Sequence, residues 1–119
     1  MRSLILILAV MALLGSVVWS AEAPASFTVC GECHAAVPGV AKDKTGPSLH
    51  GVYGRKVASL PGYEYSGGLK KLSESSWNEM LLDRFMSMPS AMAPGTKMPV
   101  HITEQTKRLE IIRYLKTLK

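Results

Sequence analysis

Residues 30 to 34 read CGECH: two cysteines separated by two residues and followed at once by a histidine. This spacing is the attachment motif of c-type haem. On a helical turn, thiols three positions apart lie on one side, from which both can add to the vinyl groups along one edge of a haem. The next residue is then placed under the iron, where a neutral imidazole nitrogen binds the metal. The motif predicts one haem c, bound covalently through Cys30 and Cys33, with His34 as an iron ligand.

Three other kinds of CxxC site have to be weighed against this prediction. A thioredoxin-like dithiol needs a βαβ frame, and no alternating strand pattern precedes Cys30. A structural zinc site needs four closed ligands, whereas the chain has two cysteines and three scattered histidines, at His34, His50 and His101. A disulfide suits an exported chain, but its ring would be very short. Haem attachment is the interpretation that the sequence favours.

The beginning of the chain has the organisation of an export signal. Arg2 supplies the positive start, and an apolar run follows it. Small residues at the cleavage-sensing positions predict cleavage before Ala21. The apolar run is short for a membrane span, which needs about 20 residues, and an uncleaved anchor is the alternative. We therefore expect residues 1–20 to be a signal peptide and residues 21–119 to be one haem domain outside the cytoplasm.

The charge and the length of the chain limit its partners and its core. The formal net charge is +5 at pH 7, and a mildly basic exported domain suits an acidic protein partner or an anionic membrane surface. No basic stripe interleaved with aromatic residues is present, so nucleic acid is not an expected partner. A domain this small buries a modest core. We therefore expect the haem to supply much of the apolar interior.

Periodicity and capping signals predict a few short helices. The segment 27–36 predicts a short helix that carries the haem motif. Ser76, followed by Glu79, matches a capping box at the start of a second helix, and Pro89 is predicted to close it. Residues at helical spacing predict the apolar face of this helix: Trp77, Leu81, Phe85 and Met88.

The last helix is predicted to begin near Thr103, as its N-cap, with Glu104 just inside. Its apolar face is predicted to hold Ile111, Leu115 and Leu118, with Leu109 and Ile112 beside them. The segments 39–72 and 89–102 are rich in glycine and proline and predict loops. So long a loop is unusual in a compact domain unless it has a task, such as covering a haem edge. The fold class predicted is all-α, with a few helices and long loops around one haem.

A haem attached in this way leaves the sixth iron position open to histidine, methionine, water or no ligand. Met80 and Met86 lie in a predicted helix and are expected to fill the core. Met98 differs because it ends the string PGTKM, in which Pro94 and Gly95 form a turn. Its thioether is therefore presented from a loop. The other methionines beyond the signal are Met88 and Met92.

These motifs together resemble the class I cytochromes c, of the mitochondrial and bacterial c2-like type. The resemblance covers nearly all of the chain after the signal. Its motifs occur in the family's order: CGECH, KTGPSLHGVYGRKVASLPGYEYS, Trp77, PGTKM and LEIIRYLK. It implies a few α-helices around one haem, with histidine and methionine as axial ligands, here His34 and Met98.

The resemblance also implies roles for residues around the haem. Pro47 matches the proline whose carbonyl accepts a hydrogen bond from the axial histidine and so fixes its ring. Arg55, Tyr65 and Trp77 match residues that hold a buried haem propionate, a carboxylate that needs donors in a dry site. Thr96 matches a hydroxyl residue of the methionine loop near the propionates. The simpler interpretations are a surface arginine, a half-buried tyrosine and a core tryptophan.

Two departures from the family pattern change the expectation. Phe85 falls where the family usually has tyrosine near the methionine sulfur, and Leu69 or Lys70 falls where it has asparagine, so the distal side is expected to be drier. The segment between Ala21 and Cys30 is short and has no glycine. The N-terminal helix, which in the family packs on the last helix, is therefore expected to be short here.

The expected function is one-electron transfer and not enzymatic catalysis, because two protein ligands leave no iron position open for oxygen or peroxide. We expect a monomeric periplasmic carrier with redox protein partners, such as a membrane oxidase, a cytochrome complex or a dehydrogenase, met through small transient interfaces. Lys97 is either a docking charge for such a partner or an ordinary solvated lysine. The alternatives are an anchored cytochrome c subunit of a dehydrogenase or oxidase complex, and a gas-sensing or peroxidase-like protein with an open sixth site.

Overall fold

The computed structural model describes residues 21–39 and 44–119. These ranges contain five α-helices and a 3₁₀ turn at Ala25–Phe27: α1 (Thr28–Gly31), α2 (Gly67–Lys70), α3 (Glu79–Ser87), α4 (Pro89–Met92) and α5 (Gln105–Thr117). Extended backbone pairs here only at an isolated antiparallel bridge between Lys56 and Ser76. The predicted all-α class is confirmed. The predicted signal peptide lies outside the described residues.

Helix α3 is capped by Asn78 and not by the predicted capping box. The Asn78 side chain accepts a hydrogen bond from the backbone N–H of Leu81 at 2.8 Å, which satisfies a free donor of the first turn. The predicted Ser76 cap is wrong because Ser76 is extended and pairs with Lys56 across the bridge. As predicted, α3 ends before Pro89, which disfavours helical backbone in the preceding residue.

Two of the segments predicted as loops contain short helices. Pro89 occupies the first turn of α4, where its missing N–H costs nothing. Helix α2 is capped by the Ser66 hydroxyl, which accepts from the N–H of Leu69 at 3.3 Å. The sequence did not predict this helix, because two of its residues are glycines and glycine is a weak helix former. The haem-motif helix, in turn, is shorter than predicted and ends at Gly31.

Helices α3 and α5 pack against each other and carry much of the core. The buried apolar side chains form one cluster: Phe27, Val52, Val57, Trp77, Leu82, Met86, Ile111, Ile112 and Leu115. The prediction that Met86 fills the core is confirmed, whereas Met80 is 64% exposed. Met80 lies about 200° around the helix from the buried Leu82, because each residue turns the helix by about 100°.

Arg108 joins α5 to α3 through one buried guanidinium. Its Nε donates to Oδ1 of Asp83 at 2.7 Å. Its Nη1 donates to the backbone carbonyls of Ile102 and Thr103 at 2.9 and 2.8 Å. Thr103 was predicted to cap α5, but the cap is Glu104. The carbonyl of Thr103 is instead fixed by this arginine.

The short segment before the haem motif crosses α5, as an abbreviated form of the expected N-terminal helix. The rings of Phe27 and Tyr114 meet edge to face, with centroids 4.7 Å apart. The Ser26 hydroxyl donates to Oε2 of Glu110 at 3.0 Å. An aromatic pair and a side-chain hydrogen bond therefore join this segment to α5. Within the part of the chain that the structure covers, no helix has the length and apolar content needed to span a membrane.

The Phe27 contact leads to a stability prediction. Replacing Phe27 by alanine removes the aromatic pair and opens a cavity in the core, so we expect the free energy of unfolding to fall by about 3 kcal/mol. Guanidinium unfolding of the haem-loaded protein, followed by far-UV circular dichroism, measures this loss. The neighbouring Thr28 is exposed, and Thr28→Ala is the matched control. A loss below about 1 kcal/mol in Phe27→Ala would show that the crossing contributes little.

Candidate functional site

The CGECH motif closes a single turn at the end of α1. The N–H groups of Cys33 and His34 both donate to the carbonyl of Cys30, at 3.1 and 2.9 Å. Both thiols are half-buried and form no disulfide. Burial raises the pKa of Cys30 to about 11, against a smaller opposing effect of a backbone hydrogen bond. The raised pKa favours the thiol over the thiolate at Cys30.

The imidazole of His34 is held by the chain that follows the motif. Its Nδ1 lies 2.7 Å from the carbonyl oxygen of Pro47, and the N–H of Gly46 donates to the carbonyl of Cys33 at 2.8 Å. With Nδ1 as the donor, Nε2 carries the free lone pair. Burial lowers the pKa of His34, and the bond to Pro47 opposes that shift in part. The neutral ring that a metal requires is thus the favoured form.

Gly46 is a site residue that the sequence interpretation missed. A Cβ at this position would lie 2.5 Å from Cε1 and 2.6 Å from Nδ1 of His34. The imidazole therefore rests directly on the Gly46 backbone, and only glycine leaves room for it. The available signal was a glycine directly before Pro47 in the string TGP, but a contact with His34 could not be inferred from that alone.

The guanidinium of Arg55 lies against the same loop, and its Nε is left without a partner in the part of the chain that the structure describes. Its Nη1 donates to the carbonyl of His50 and its Nη2 to the carbonyl of Ser48, both at 3.1 Å. Its Nε is buried and has no hydrogen-bond partner among the residues described. Burial lowers the pKa of Arg55, and the nearby Tyr65 opposes this effect. A buried donor without an acceptor is uncommon and fits an anionic group that is bound there.

Tyr65 and Trp77 are both buried near Arg55. The Tyr65 hydroxyl accepts a hydrogen bond from the N–H of Leu60 at 3.3 Å. The N–H of Trp77 donates to the carbonyl of Arg55 at 2.8 Å, and its ring is tilted against Phe85 with centroids 5.3 Å apart. The structure therefore brings together the three residues that were predicted to hold a propionate.

Met98 lies half-buried at the end of a tight loop. The N–H of Thr96 donates to the carbonyl of Ala93 at 3.0 Å, and Gly95 between them has a φ of 82°, which favours glycine. The Thr96 hydroxyl accepts from the N–H of Met98 at 3.4 Å. In the described parts of the chain, no hydrogen bond joins this loop directly to His34.

The remaining histidines lie apart from these groups. The side chain of His50 is half-buried, and His101 is exposed. His101 lines a surface pocket of about 340 Å³ with Met88 and Pro99 among its neighbours. Across residues 21–39 and 44–119, no three side chains of histidine, cysteine, aspartate or glutamate gather as a metal site would require.

Comparison with known proteins identifies the family. A cytochrome c of Euglena viridis is 43% identical over 90 residues, which span 75% of this chain and 85% of that protein. The cytochrome c2 iso-2 of Magnetospirillum molischianum is 40% identical over 100 residues, which span 83% of this chain and the whole of that protein. The chain belongs to the class I c-type cytochromes.

The solved structure of cytochrome cH from Methylobacterium extorquens agrees with this assignment. The two structures superpose with a TM-score of 0.67, and their sequences are 36% identical. The match covers 77% of this chain and 91% of the cytochrome cH chain. No protein-family model matches the chain. The family resemblance that the motifs predicted is therefore confirmed by sequence and by structure.

The cytochrome carries one haem c, attached covalently through Cys30 and Cys33. Two observations fit this group: the neutral ring of His34 resting on Gly46, and the unpaired Nε of Arg55. In addition, several apolar side chains touch the core but stay only half-buried: Leu49, Leu69, Leu72, Leu81, Phe85 and Met92. A large flat apolar group is what such a set of side chains can cover.

Proposed function

We propose that this cytochrome is a one-electron carrier of the periplasm, with His34 and Met98 as its axial ligands. The observation that carries the proposal is the held imidazole, whose Nδ1 lies 2.7 Å from the carbonyl of Pro47. This bond fixes the ring and its tautomer and raises its basicity, so that Nε2 is available to the metal. When bound, the haem supplies an iron that cycles between Fe(II) and Fe(III). Met98 as the second ligand would leave no position open to a substrate.

The other residues of the site hold this arrangement in place. Arg55 is proposed to donate its free Nε to a propionate, and the buried rings of Tyr65 and Trp77 exclude water around that charge. The hydroxyl of Thr96 accepts a hydrogen bond from the backbone N–H of Met98. Thr96 is also proposed to lie near the propionates. None of these groups transfers a proton in the proposed function, so the site gives and receives electrons with little rearrangement.

Export and domain organisation belong to the same proposal. Residues 1–20 are proposed to be a cleaved signal peptide, and residues 21–119 to be one monohaem domain. The length of the proposed domain agrees with that of the Magnetospirillum cytochrome c2, the whole of which matches 83% of this chain. The proposed partners are redox proteins, such as a membrane oxidase, a cytochrome complex or a dehydrogenase, and the carrier is proposed to meet them as a monomer.

The purified exported protein tests this proposal. Mass spectrometry is expected to give a chain that begins at Ala21 and carries the mass of one haem. A redox titration is expected to give one reversible one-electron wave, and carbon monoxide should leave the spectrum of the reduced protein unchanged. Carbon monoxide binding to the wild-type protein would mean that the sixth position is open and would exclude the carrier as proposed.

The proposed role of Arg55 gives a prediction with a definite sign. Arg55→Met removes a positive charge beside the propionate. The loss of this charge stabilises the oxidised haem, which carries one more positive charge than the reduced haem. We therefore expect the midpoint potential at pH 7 to fall by tens of millivolts, roughly what one charge at about 10 Å produces in a protein interior. A potentiometric titration measures the change. Arg84, exposed on α3, provides the control, and an equal fall in Arg84→Met would assign the effect to net charge alone.

A further inference from the structure

A surface pocket that follows the Met98 loop brings together two side chains that the proposed function does not use. His101 and Met88 both line this pocket, which has a volume of about 340 Å³. Met88 was predicted to lie on the apolar face of α3, but it is 62% exposed, and His101 is exposed as well. The usual role of a methionine is to fill gaps in a core. Burial therefore does not account for this pair.

The backbones that carry the two side chains are joined to each other. Met88 is the C-terminal cap of α3, and the N–H of Ile102, next to His101, donates to the carbonyl of the buried Met86 at 2.8 Å. The carbonyl of Ile102 in turn accepts from Arg108 at 2.9 Å. The thioether and the imidazole thus extend from one hydrogen-bonded junction between the end of α3 and the chain that leads into α5.

The other walls of the pocket are uncharged. They are formed by Ser87, Pro89, Ser90, Ala91 and Pro99. Among the described residues that line the pocket, none carries a carboxylate, an ammonium or a guanidinium group. Hard cations such as Mg²⁺ and Ca²⁺ therefore lack the carboxylate oxygens that they prefer, and no lining side chain repels a metal ion by its charge. Pro89, directly after Met88, also restricts the backbone beside the thioether.

A thioether and an imidazole together favour a particular class of metal ion. Thioether sulfur is a soft ligand that selects Cu(I), and imidazole also suits copper. Zn²⁺ in a structural site takes four nitrogen, thiolate or carboxylate ligands, and of the described residues that line the pocket only His101 supplies one of these. Cu(I) needs fewer ligands than Zn²⁺. The chemistry of the pocket therefore fits a soft monovalent cation better than a divalent one.

We propose that Met88 and His101 form a Cu(I) site on the surface of the cytochrome. The sulfur of Met88 and one ring nitrogen of His101 are its protein ligands, because both side chains line the pocket and both are accessible from solvent. Neither residue is among those assigned to the haem. The inference therefore goes beyond the carrier function and does not depend on which residue is the sixth iron ligand.

Equilibrium dialysis of the haem-loaded protein against chelator-buffered Cu(I) tests this site. The haem is kept reduced and oxygen is excluded, because oxidised haem is able to accept an electron from Cu(I). We expect elemental analysis to find one copper per haem iron in the wild-type protein. Met88→Leu and His101→Gln should each weaken copper binding at least about tenfold, since even the outer-shell partners of metal ligands contribute that much to affinity.

Two control variants remove the same chemistry from other parts of the surface. Met80 is 64% exposed and lies outside the pocket, so Met80→Leu removes an equally exposed thioether. His50→Gln removes a histidine that does not line the pocket either. Both variants should bind copper within about twofold of wild type, as is usual for changes at independent sites. Wild-type protein without bound copper, or an equal loss of affinity in either control, overturns the site.

Proton NMR of the reduced protein locates the bound ion. The methyl resonance that is missing from the spectrum of Met88→Leu should shift in wild type when Cu(I) is added, and bound copper without this shift would also overturn the site. Far-UV circular dichroism of Met88→Leu and His101→Gln should match wild type, because both side chains are exposed. The red charge-transfer band of the oxidised protein, recorded without copper, tests Met98 separately, so failure of the copper site leaves the carrier function intact.

Discussion

Replacing Met98 by alanine is expected to abolish the absorption band near the red end of the visible spectrum that reports sulfur bound to iron(III). It is also expected to lower the midpoint potential by a few tenths of a volt, because the choice of axial ligands moves haem potentials over about 0.8 V and a thioether raises the potential. Absorption spectra of the oxidised protein and a potentiometric titration measure both changes. Reduced Met98→Ala should also bind carbon monoxide, which wild type should not.

A second methionine makes the comparison specific. Met92, at the end of α4, is half-buried against the core and has the same chemistry as Met98. Met92→Ala should keep the band and the potential and lose only stability, since its thioether is expected to act as apolar filling. Survival of the band in Met98→Ala, or its loss in Met92→Ala, would show that the ligand is misassigned.

The covalent part of the site could be predicted because its chemistry is local. Cys30, Cys33 and His34 act through their spacing along five residues, and no distant contact is needed to identify them. The hydrogen bond between His34 and Pro47 was expected only from the family resemblance, and in the structure Nδ1 lies 2.7 Å from the Pro47 carbonyl oxygen. Its neighbour Gly46 was missed because its role depends on the distance to a ring 12 positions earlier, which only the folded chain defines.

The errors in the helix boundaries have a different cause. Ser76 and Asn78 are both acceptable caps two positions apart, and the bridge to Lys56 decides between them by drawing Ser76 into extended backbone. The role of Thr103 also depends on a tertiary contact, because its carbonyl accepts a hydrogen bond from Arg108. The sequence alone could not predict this bond. Lys97 is the clearest case: its partner is a backbone carbonyl 33 positions earlier, and no side-chain pattern in the sequence marks an acceptor of that kind.

Replacing Gly46 by alanine is expected to damage both the stability and the haem site. The new methyl group would lie 2.5 Å from Cε1 of His34, well inside van der Waals contact. The ring has little freedom to move away, because its Nδ1 is bonded to Pro47 and its backbone N–H to Cys30. We expect the free energy of unfolding to fall by about 3 kcal/mol, at the upper end of the usual cost of overpacking, as measured by guanidinium unfolding of the haem-loaded protein.

A second glycine provides the matched control. A Cβ on Gly67 would meet no atom within 4 Å, and its place in the first turn of α2 makes alanine neutral or slightly stabilising. Gly67→Ala should therefore unfold within about 1 kcal/mol of wild type. The spectrum of Gly46→Ala should also change, because a ring pushed off the Gly46 backbone loses the hydrogen bond that sets its basicity. If Gly46→Ala were as stable as Gly67→Ala and kept the wild-type spectrum, the imidazole could not rest on the Gly46 backbone.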